Sequence, residues 1–356
     1  MMEEEASRRA VNNGEEGLMA DNNGNSSGNV GTAGTQPANA AQQQDATPQA
    51  NAARVDPFRD DNVINGDLPL TRVVANVVSL QEVGSTNTVA EQYITSGRWN
   101  RNGMTIVAAR EQTAGRGRLD HTWFSVQDKS FTMSFVSAVG KTVAQNPQLN
   151  GWLQIIAGLA VLDGLRETLS ETDMELVRDP SNIDDTHDDV MLKWPNDIVY
   201  HGRKLGGILA QVVHVPDPDI VAIVYGVGLN IDVPLSEMPT EQSTSWQLIT
   251  RPGHRGERPS TAAVMDLIAS RTARHMQERL WVFGENPKEA ADHLWRRLMQ
   301  ETWTIGHPIV VHYANGETEY GIARGINGDA SLLMTTDGGE EKIVRTADVG
   351  VLPVEP

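Results

Sequence analysis

The stretch VMLKWPNDIVYHGRKLGGILAQVVHV, residues 190–215, decides the fold expected for this chain. Its first half is a strand that runs into a Pro-Asn-Asp turn, HGRK is typical of a hairpin turn, and LGGILAQVVHV is the returning strand. Strands that follow one another this closely pair as hairpins, whereas parallel pairing needs a crossover of a dozen or more residues. The stretch therefore predicts an α+β sheet and not a regular βαβ winding.

The elements outside this stretch agree with a mixed α/β core. Ser and Thr stand at the start of a predicted helix in GSTNTVAEQYITSG, residues 84–97. Helical apolar spacing predicts a second helix at 151–170. After Trp303, short alternating runs split by Gly and Asn predict a small β barrel of about fifty residues. The other predicted elements are strands at 72–83, 104–110, 130–139 and 219–231, and helices at 261–283 and 286–302.

Composition excludes several classes of protein. The 356 residues carry a formal net charge of −18, which argues against duplex DNA as the main partner because phosphate neutralisation needs a basic face. There is no cysteine, so disulfides, thiolate zinc sites and cysteine nucleophiles are excluded and a cytoplasmic location fits. No stretch reaches the ~20 apolar residues of a membrane helix, and the N-terminus lacks the pattern of a secretory signal.

The N-terminal region differs from the rest in composition. Residues 1–57 consist mainly of Ala, Asn, Gly, Gln, Ser and Glu, which cannot bury a core, and the folded part is expected to begin near Leu68. The chain is therefore divided into a disordered low-complexity tail at 1–67, an α+β core at 68–302 and a small barrel at 303–356.

The loop EQTAGRGRLDHTW, residues 111–123, combines glycines with arginines. Glycine lets a backbone approach a ligand closely, and arginine presents a rigid fork of donors to phosphate or carboxylate. The dinucleotide fingerprint G-x-G-x-x-G fails because Asp120 occupies its last position. Taken alone, the loop is either an anion site or a flexible surface loop with solvated arginines.

Three further motifs are each open to two interpretations. Lys193 of KWPND ends an apolar strand, where a partly buried ammonium needs either an anionic ligand or Asp197 as partner. The paired glycines of RKLGGIL indicate either close approach of a ligand or a bulge. The small residues of GVGLNI, residues 226–231, indicate either part of a site or a simple strand-end turn. The acidic run 171–189 is interpreted as a solvated loop, and no histidine spacing indicates a metal site.

The order of these motifs is more specific than any one of them. A Ser-Thr-Asn helix start, Q-x-A-G-R-G-R, K-W-P-N-D, R-K-L-x-G-I-L and G-x-G-x-N, followed by a small barrel, resemble the biotin protein ligases over residues 75–353. The resemblance implies a class II aminoacyl-tRNA-synthetase-like catalytic domain at 68–302 and an SH3-like barrel at 303–356. It also implies an ATP- and Mg²⁺-dependent enzyme that forms biotinyl-5′-AMP and transfers biotin to a lysine of a biotin carboxyl carrier domain of acyl-CoA carboxylases.

The resemblance also implies roles for individual residues. The catalytic group comprises Lys193, Arg116, Arg118 and Asp197, with the last one orienting or deprotonating the incoming lysine. The nucleotide-binding residues are Arg116, Arg118, Trp123, Lys193, Asn196 and Asn230. The biotin-binding residues are Ser85, Thr86, Asn87, Gln112, Gly115, Arg116, Gly117, Arg118, Lys193 and Gly207.

The chain departs from the family pattern in two places. Asp120 and His121 stand where the family loop usually has Gly and Arg, which predicts weaker retention of the adenylate or a role for protonated His121 at lower pH. Residues 1–67 lack a recognition helix, so no repressor activity and no DNA partner are expected. Lipoate–protein ligase, a self-adenylylating nucleotidyltransferase and an inactive binding module are the alternatives, and a homodimer is left open.

Overall fold

The computed structural model describes residues 56–177, 188–254, 256–313, 315–345 and 348–351. These residues belong to one compact unit. The helices are α1 (Thr71–Val74), α2 (Thr86–Thr95), α3 (Lys141–Ala144), α4 (Asn150–Thr172), α5 (Trp246–Ile249), α6 (Thr261–Glu285) and α7 (Pro287–Glu301). The strands are β1 (Val63–Ile64), β2 (Asn76–Val83), β3 (Thr105–Gln112), β4 (Ser130–Gly140), β5 (Met174–Leu176), β6 (Val190–Lys193), β7 (Asp197–Tyr200), β8 (Arg203–Val213), β9 (Ile220–Asn230), β10 (Thr250–Pro252), β11 (Pro308–His312), β12 (Thr318–Ile326), β13 (Leu332–Thr336), β14 (Glu341–Val344) and β15 (Asp348–Val351).

An eight-stranded sheet forms the core in the order β1-β2-β3-β4-β9-β8-β7-β6. Strands β2 and β3 pair in parallel, because helix α2 connects them, and the other neighbours pair antiparallel. Alternate residues of β9 face opposite sides, so Ile223 and Tyr225 join the larger core whereas Ala222 and Val224 join the smaller one. The α+β class expected from the hairpins at 190–215 is confirmed.

Two long helices cover the face of the sheet that carries the larger core. Helix α4 is buried nearly all round, which is the pattern of a helix enclosed between two layers. Gly164 allows this, since a Cβ there would lie 2.4 Å from the Thr272 hydroxyl of α6. Helix α2 packs on the opposite face with the smaller core, and this is the face that holds the site described below.

An ion-pair network joins α4 to α6 and α7. Asp163 of α4 contacts Arg279 of α6 and accepts a hydrogen bond from Arg297 Nη1 of α7 at 3.0 Å. Burial by itself raises the pKa of Asp163, but the hydrogen bonds and charges of Arg297 and Arg279 outweigh it, so the net pKa lies below its usual value. The network therefore stabilises the helical layer while Asp163 is ionised.

The C-terminal residues form a five-stranded antiparallel sheet in the order β14-β13-β12-β11-β15, the SH3-like module. The module and the segment leading into it are joined to the core by hydrogen bonds to β6 and its turn. Trp194 N donates to Thr304 Oγ1 at 2.7 Å, Trp194 Nε1 donates to the Ala330 carbonyl at 2.9 Å, and Trp303 N donates to the Leu192 carbonyl at 2.7 Å. These contacts fix the residues on both sides of Lys193.

The structure corrects three expectations. The tail boundary at residue 67 is too late, because β1 pairs with β2 and the side chain of Asn62 is buried and hydrogen-bonded to the Pro57 and Glu82 carbonyls. The strand expected over 72–83 begins only at Asn76, since Asp266 accepts hydrogen bonds from the start of helix α1. Within the acidic run, residues 174–176 form a strand paired with β10. The expectations for residues 1–55 and 178–187 lie outside the described residues.

Candidate active site

A cavity of about 280 Å³ opens on the α2 side of the sheet, where the start of α2, the Gly/Arg loop and strands β8 and β9 converge. Residues distant in sequence meet there because β8 and β9 are neighbours in the sheet and the KWPND turn lies at the end of β6. The lining comprises Ser85, Thr86, Asn87, Gln112, Arg116, Gly117, Arg118, His121, Thr122, Trp123, Lys193, Asn196, Asp197, Lys204, Gly207, Ile208, Leu209, Gly226, Val227 and Gly228.

One end of the cavity is lined by neutral hydrogen-bonding side chains that are held in place. Thr86 donates to Gln112 Oε1 from its backbone nitrogen at 2.7 Å and from its hydroxyl at 3.0 Å. Asn87 accepts from the buried Ser134 hydroxyl at 2.7 Å and donates to the Leu209 carbonyl at 3.3 Å. Because these groups are already oriented by neighbours, a ligand that meets them does not have to order them.

Two glycines of β9 create the space for this end. A Cβ at Gly226 would lie 2.2 Å from Asn87 Oδ1, and one at Gly228 would lie 2.4 Å from the indole ring of Trp123. The GVGLNI motif is therefore explained by the close approach of two lining side chains to the sheet, and it is more than a strand-end turn. Leu209 provides apolar surface between the polar groups, whereas the side chains of Ile208 and Val227 belong to the larger core on the opposite face of the sheet.

The Gly/Arg loop is folded back on itself above the cavity. Gly117 N donates to the His121 carbonyl at 2.6 Å and Trp123 N donates to the Gly115 carbonyl at 3.0 Å. Gly115 is required here, since a Cβ would lie 2.5 Å from the Trp123 carbonyl oxygen. The loop thus has a defined conformation in the structure.

The arginines of this loop border the cavity. Arg116 Nη2 donates to Thr88 Oγ1 at 2.9 Å, and Arg118 Nη1 donates to Asn196 Oδ1 at 3.3 Å. The Thr88 hydroxyl carries no charge, so this contact leaves the positive charge of Arg116 beside the cavity, and the contact with Asn196 orients Arg118.

A carboxylate between two ammonium groups lies at the same end. Asp197 Oδ2 is 3.3 Å from Lys193 Nζ, and Asp197 Oδ1 is 2.8 Å from Lys204 Nζ. Asp197 itself is only 8% exposed. Of the two alternatives for Lys193, Asp197 is its partner in the structure, and an anionic ligand in the cavity that Lys193 lines stays a prediction.

The structure gathers most residues singled out by sequence. Ser85, Thr86, Asn87, Gln112, Arg116, Gly117, Arg118, Trp123, Lys193, Asn196, Asp197 and Gly207 all line the cavity. Gly115 lies behind the lining. Asn230 does too, because its amide donates to the Thr244 carbonyl at 3.0 Å. Sequence reasoning missed Lys204, although it stands in the RKLGGIL motif, because the paired glycines are the signal of that motif and one lysine beside a turn does not indicate a site.

Comparison with known proteins defines the class first. The model of the biotin/lipoate A/B protein ligase family matches residues 80–230, which include every lining residue of the cavity. A biotin protein ligase from Aquifex aeolicus, solved in complex with biotin and ATP, has a TM-score of 0.54 and 20% identity over 78% of this chain and 99% of that chain. At this identity the structural likeness establishes the fold.

Relatives of known function identify the family within this class. A biotin–[acetyl-CoA-carboxylase] ligase of Mycobacterium tuberculosis is 32% identical over 270 residues, which cover 75% of this chain and 86% of the relative. The chain therefore belongs to the biotin–[acetyl-CoA-carboxylase] ligase family. The bifunctional ligase/repressor BirA of Bacillus subtilis is 27% identical over 69% of this chain, and the match covers 65% of the length of BirA.

Proposed function

We propose that this protein is an ATP-dependent biotin–protein ligase that forms biotinyl-5′-AMP and then transfers biotin to a lysine of a biotin carboxyl carrier domain. The observation that carries the proposal is that one cavity is lined both by neutral hydrogen-bonding side chains, among them Thr86 and Asn87, and by the cationic side chains of Arg116, Arg118 and Lys193. Biotin has parts that match both kinds of side chain, because its ureido ring is uncharged and its valeryl chain ends in a carboxylate.

The neutral side chains are assigned to the ureido ring. That ring offers two N–H donors and one carbonyl acceptor, and Ser85, Thr86, Asn87 and Gln112 carry hydroxyl and amide groups that can donate or accept. The apolar side chain of Leu209 suits the thioether ring and the chain. A cofactor of the lipoyl type lacks the ureido group and would not use the hydrogen-bonding capacity that these polar groups have left, which costs affinity.

The cationic side chains are assigned to the first chemical step. The biotin carboxylate oxygen attacks the α-phosphorus of ATP, a phosphorus–oxygen bond forms, and the bond to the leaving pyrophosphate breaks. Two anions must approach and charge develops on the leaving group, so fixed cations lower the barrier. Arg116, Arg118 and Lys193 line the cavity and are proposed to bind the carboxylate and the phosphates. Trp123 and Asn196 are proposed to contact the nucleotide. Asn230, whose amide is bonded to the Thr244 carbonyl, is proposed to support the nucleotide site from outside the lining.

The second step joins biotin to the carrier. The lysine nitrogen attacks the carbonyl carbon of the mixed anhydride, the carbon–oxygen bond to AMP breaks, and the nitrogen loses a proton to a base. Asp197 had two alternative roles here, orientation or deprotonation. Since its two oxygens each face a lysine ammonium, its contacts favour orientation.

Mg²⁺ is expected with ATP, and its fit to the cavity can be tested on the carboxylates present. The described lining contains a single carboxylate, Asp197, and both of its oxygens are paired with lysines. These side chains therefore do not form a dedicated Mg²⁺ site, and the ion is assigned to the phosphates of the nucleotide with no protein ligand.

The proposal is tested by mass spectrometry of a biotin carboxyl carrier domain incubated with this protein, biotin, ATP and Mg²⁺. We expect a gain of one biotin on one lysine, lost with Lys193→Ala or Arg116→Ala and retained with Lys288→Ala, an exposed lysine of α7. Biotin transfer that persists in both cavity variants would contradict the assignment of the site. A gain of lipoate on a lipoyl domain, with none of biotin, would replace the proposed substrate.

Three further expectations accompany the proposal. A cytoplasmic location and the lack of DNA binding stay predictions, to be checked by fractionation and by a mobility shift, and a homodimer stays an open possibility, to be checked by sedimentation. None of the helices in the described part of the chain is long and apolar enough to cross a membrane.

A further inference from the structure

Lys204 is a cation of the cavity to which no role has been given above. It lies on β8 opposite Val199 of β7, and its side chain is 42% exposed at the cavity mouth. Its ammonium is 2.8 Å from Asp197 Oδ1, shorter than the 3.3 Å between Asp197 Oδ2 and Lys193. Asp197 therefore makes its shorter contact with Lys204.

The backbone nitrogen and carbonyl of Lys204 both bond to the segment at 242–244. Its nitrogen donates to the Gln242 carbonyl at 2.7 Å, and its carbonyl accepts from Thr244 N at 2.9 Å. Asn230 in turn donates to the Thr244 carbonyl at 3.0 Å. The segment at 242–244 thus holds Lys204 in a set position, and Asn230 holds that segment.

Gly207 leaves room for the pair. A Cβ at this position would lie 3.2 Å from Asp197 Oδ1 and 3.6 Å from Lys204 Nζ. A longer side chain would extend into the space in which the carboxylate and the ammonium meet. The second glycine of RKLGGIL is therefore explained by this ion pair as well as by the cavity.

The arrangement determines how much of the Lys193 charge is available. A carboxylate paired with Lys193 alone would draw the ammonium toward itself and neutralise it. With Oδ1 held by Lys204, the net charge of the three groups is positive, and Lys193 retains donors for a substrate anion.

We infer that Lys204 is a positioning residue that holds the Asp197 carboxylate, so that Lys193 presents its charge to the substrate carboxylate and phosphate. This inference rests on the function proposed above. Lys204 acts through Asp197 and need not touch the substrates itself.

A double-mutant cycle on biotinyl-AMP formation tests the inference, with pyrophosphate release as the readout. Lys204→Met is expected to lower kcat about tenfold, the size typical of losing a charge-assisted hydrogen bond, with KM for ATP changed less than about twofold. In an Asp197→Asn background the same substitution should change kcat less than about twofold, because the group it acts through has lost its charge. Lys204→Arg should restore most of the rate.

Controls separate a positioning role from a loss of folding. Lys342→Met removes a similarly exposed lysine from its pair with Glu319 in the C-terminal module and should leave kcat unchanged. Thermal unfolding of Lys204→Met within a few degrees of the wild type would show that the rate effect is local.

Each other outcome overturns a stated claim. A full Lys204→Met effect in the Asp197→Asn background, with a raised KM for ATP, would show direct contact with the nucleotide and overturn the positioning role. An unchanged kcat in the wild-type background would overturn it as well. A wild-type protein that binds biotin and ATP but releases no pyrophosphate would overturn the proposed function, and this inference with it.

Discussion

Gly226 is the position at which a single added carbon should damage the proposed biotin site most directly. In Gly226→Ala the new Cβ would lie 2.2 Å from Asn87 Oδ1, about 1 Å inside the ~3.3 Å at which carbon and oxygen ordinarily meet. Asn87 is only 3% exposed and cannot turn away freely, because Ser134 and the Leu209 carbonyl hold its amide.

The size of the effect follows from those contacts. Displacing Asn87 weakens two hydrogen bonds worth about 1 kcal/mol each, and overpacking of a well-filled site costs about 1–3 kcal/mol. Because the hydrogen bonds are weakened and not lost, we expect the free energy of unfolding to fall by about 2–4 kcal/mol. If Asn87 holds the ureido ring, misplacing it should also raise the Kd for biotin about tenfold, which corresponds to about 1.4 kcal/mol.

Urea unfolding followed by circular dichroism gives the first quantity, and isothermal titration with biotin gives the second. Gly84→Ala is the matched control, since a Cβ there meets nothing within 4 Å. It should leave the Kd for biotin unchanged, and its free energy of unfolding should equal that of the wild type or be slightly higher. A Gly226→Ala protein with wild-type stability and a Kd within twofold of the wild type would refute the steric argument.

Three further predictions concern other parts of the molecule. Thr304→Val removes the acceptor of the buried Trp194 N–H, so it should cost about 1–3 kcal/mol in urea unfolding and lower the rate of biotinyl-AMP formation; an unchanged rate would show that the catalytic turn does not depend on this contact. Asp163 has a lowered pKa, so the stability it contributes is present above its unfolded value near 3.8 and is lost as the pH falls through its lower folded value. Asp163→Asn should therefore show a weaker decline of thermal stability on acidification than the wild type, and an identical decline would contradict the role of Arg297. His121→Arg adds a fixed charge to the loop and should slow the release of biotinyl-AMP in a filter-binding chase, whereas release no slower than in the wild type would contradict the effect of this departure.

Much of the fold could be predicted from local pattern. The turns at 190–215 predicted the end of β6 at the Pro-Asn-Asp turn and the hairpin whose returning strand is β8, but not the separate strand β7, and the Ser-Thr-Asn start predicted helix α2. The boundary at residue 67 could not be predicted, because β1 has only two residues and forms by pairing with β2. Helix α1 could not be predicted from its β-branched sequence either, since Asp266, almost two hundred residues away, accepts hydrogen bonds from its first residues.

For the site too, some features could be predicted from local sequence and others depend on contacts between residues far apart in the chain. The sequence alone determined which residue types carry the chemistry, since the Gly/Arg loop, KWPND and the paired glycines are each contained in a few adjacent residues. Only the tertiary structure decided which of them share a cavity and how they pair. Lys204 meets Asp197, Asn87 lies over Gly226, and Asn230 supports the segment behind Lys204, because sheet register brings together strands that the sequence keeps apart. Register is decided by the burial of whole strand faces, which depends on every neighbouring strand and helix and cannot be determined from one motif.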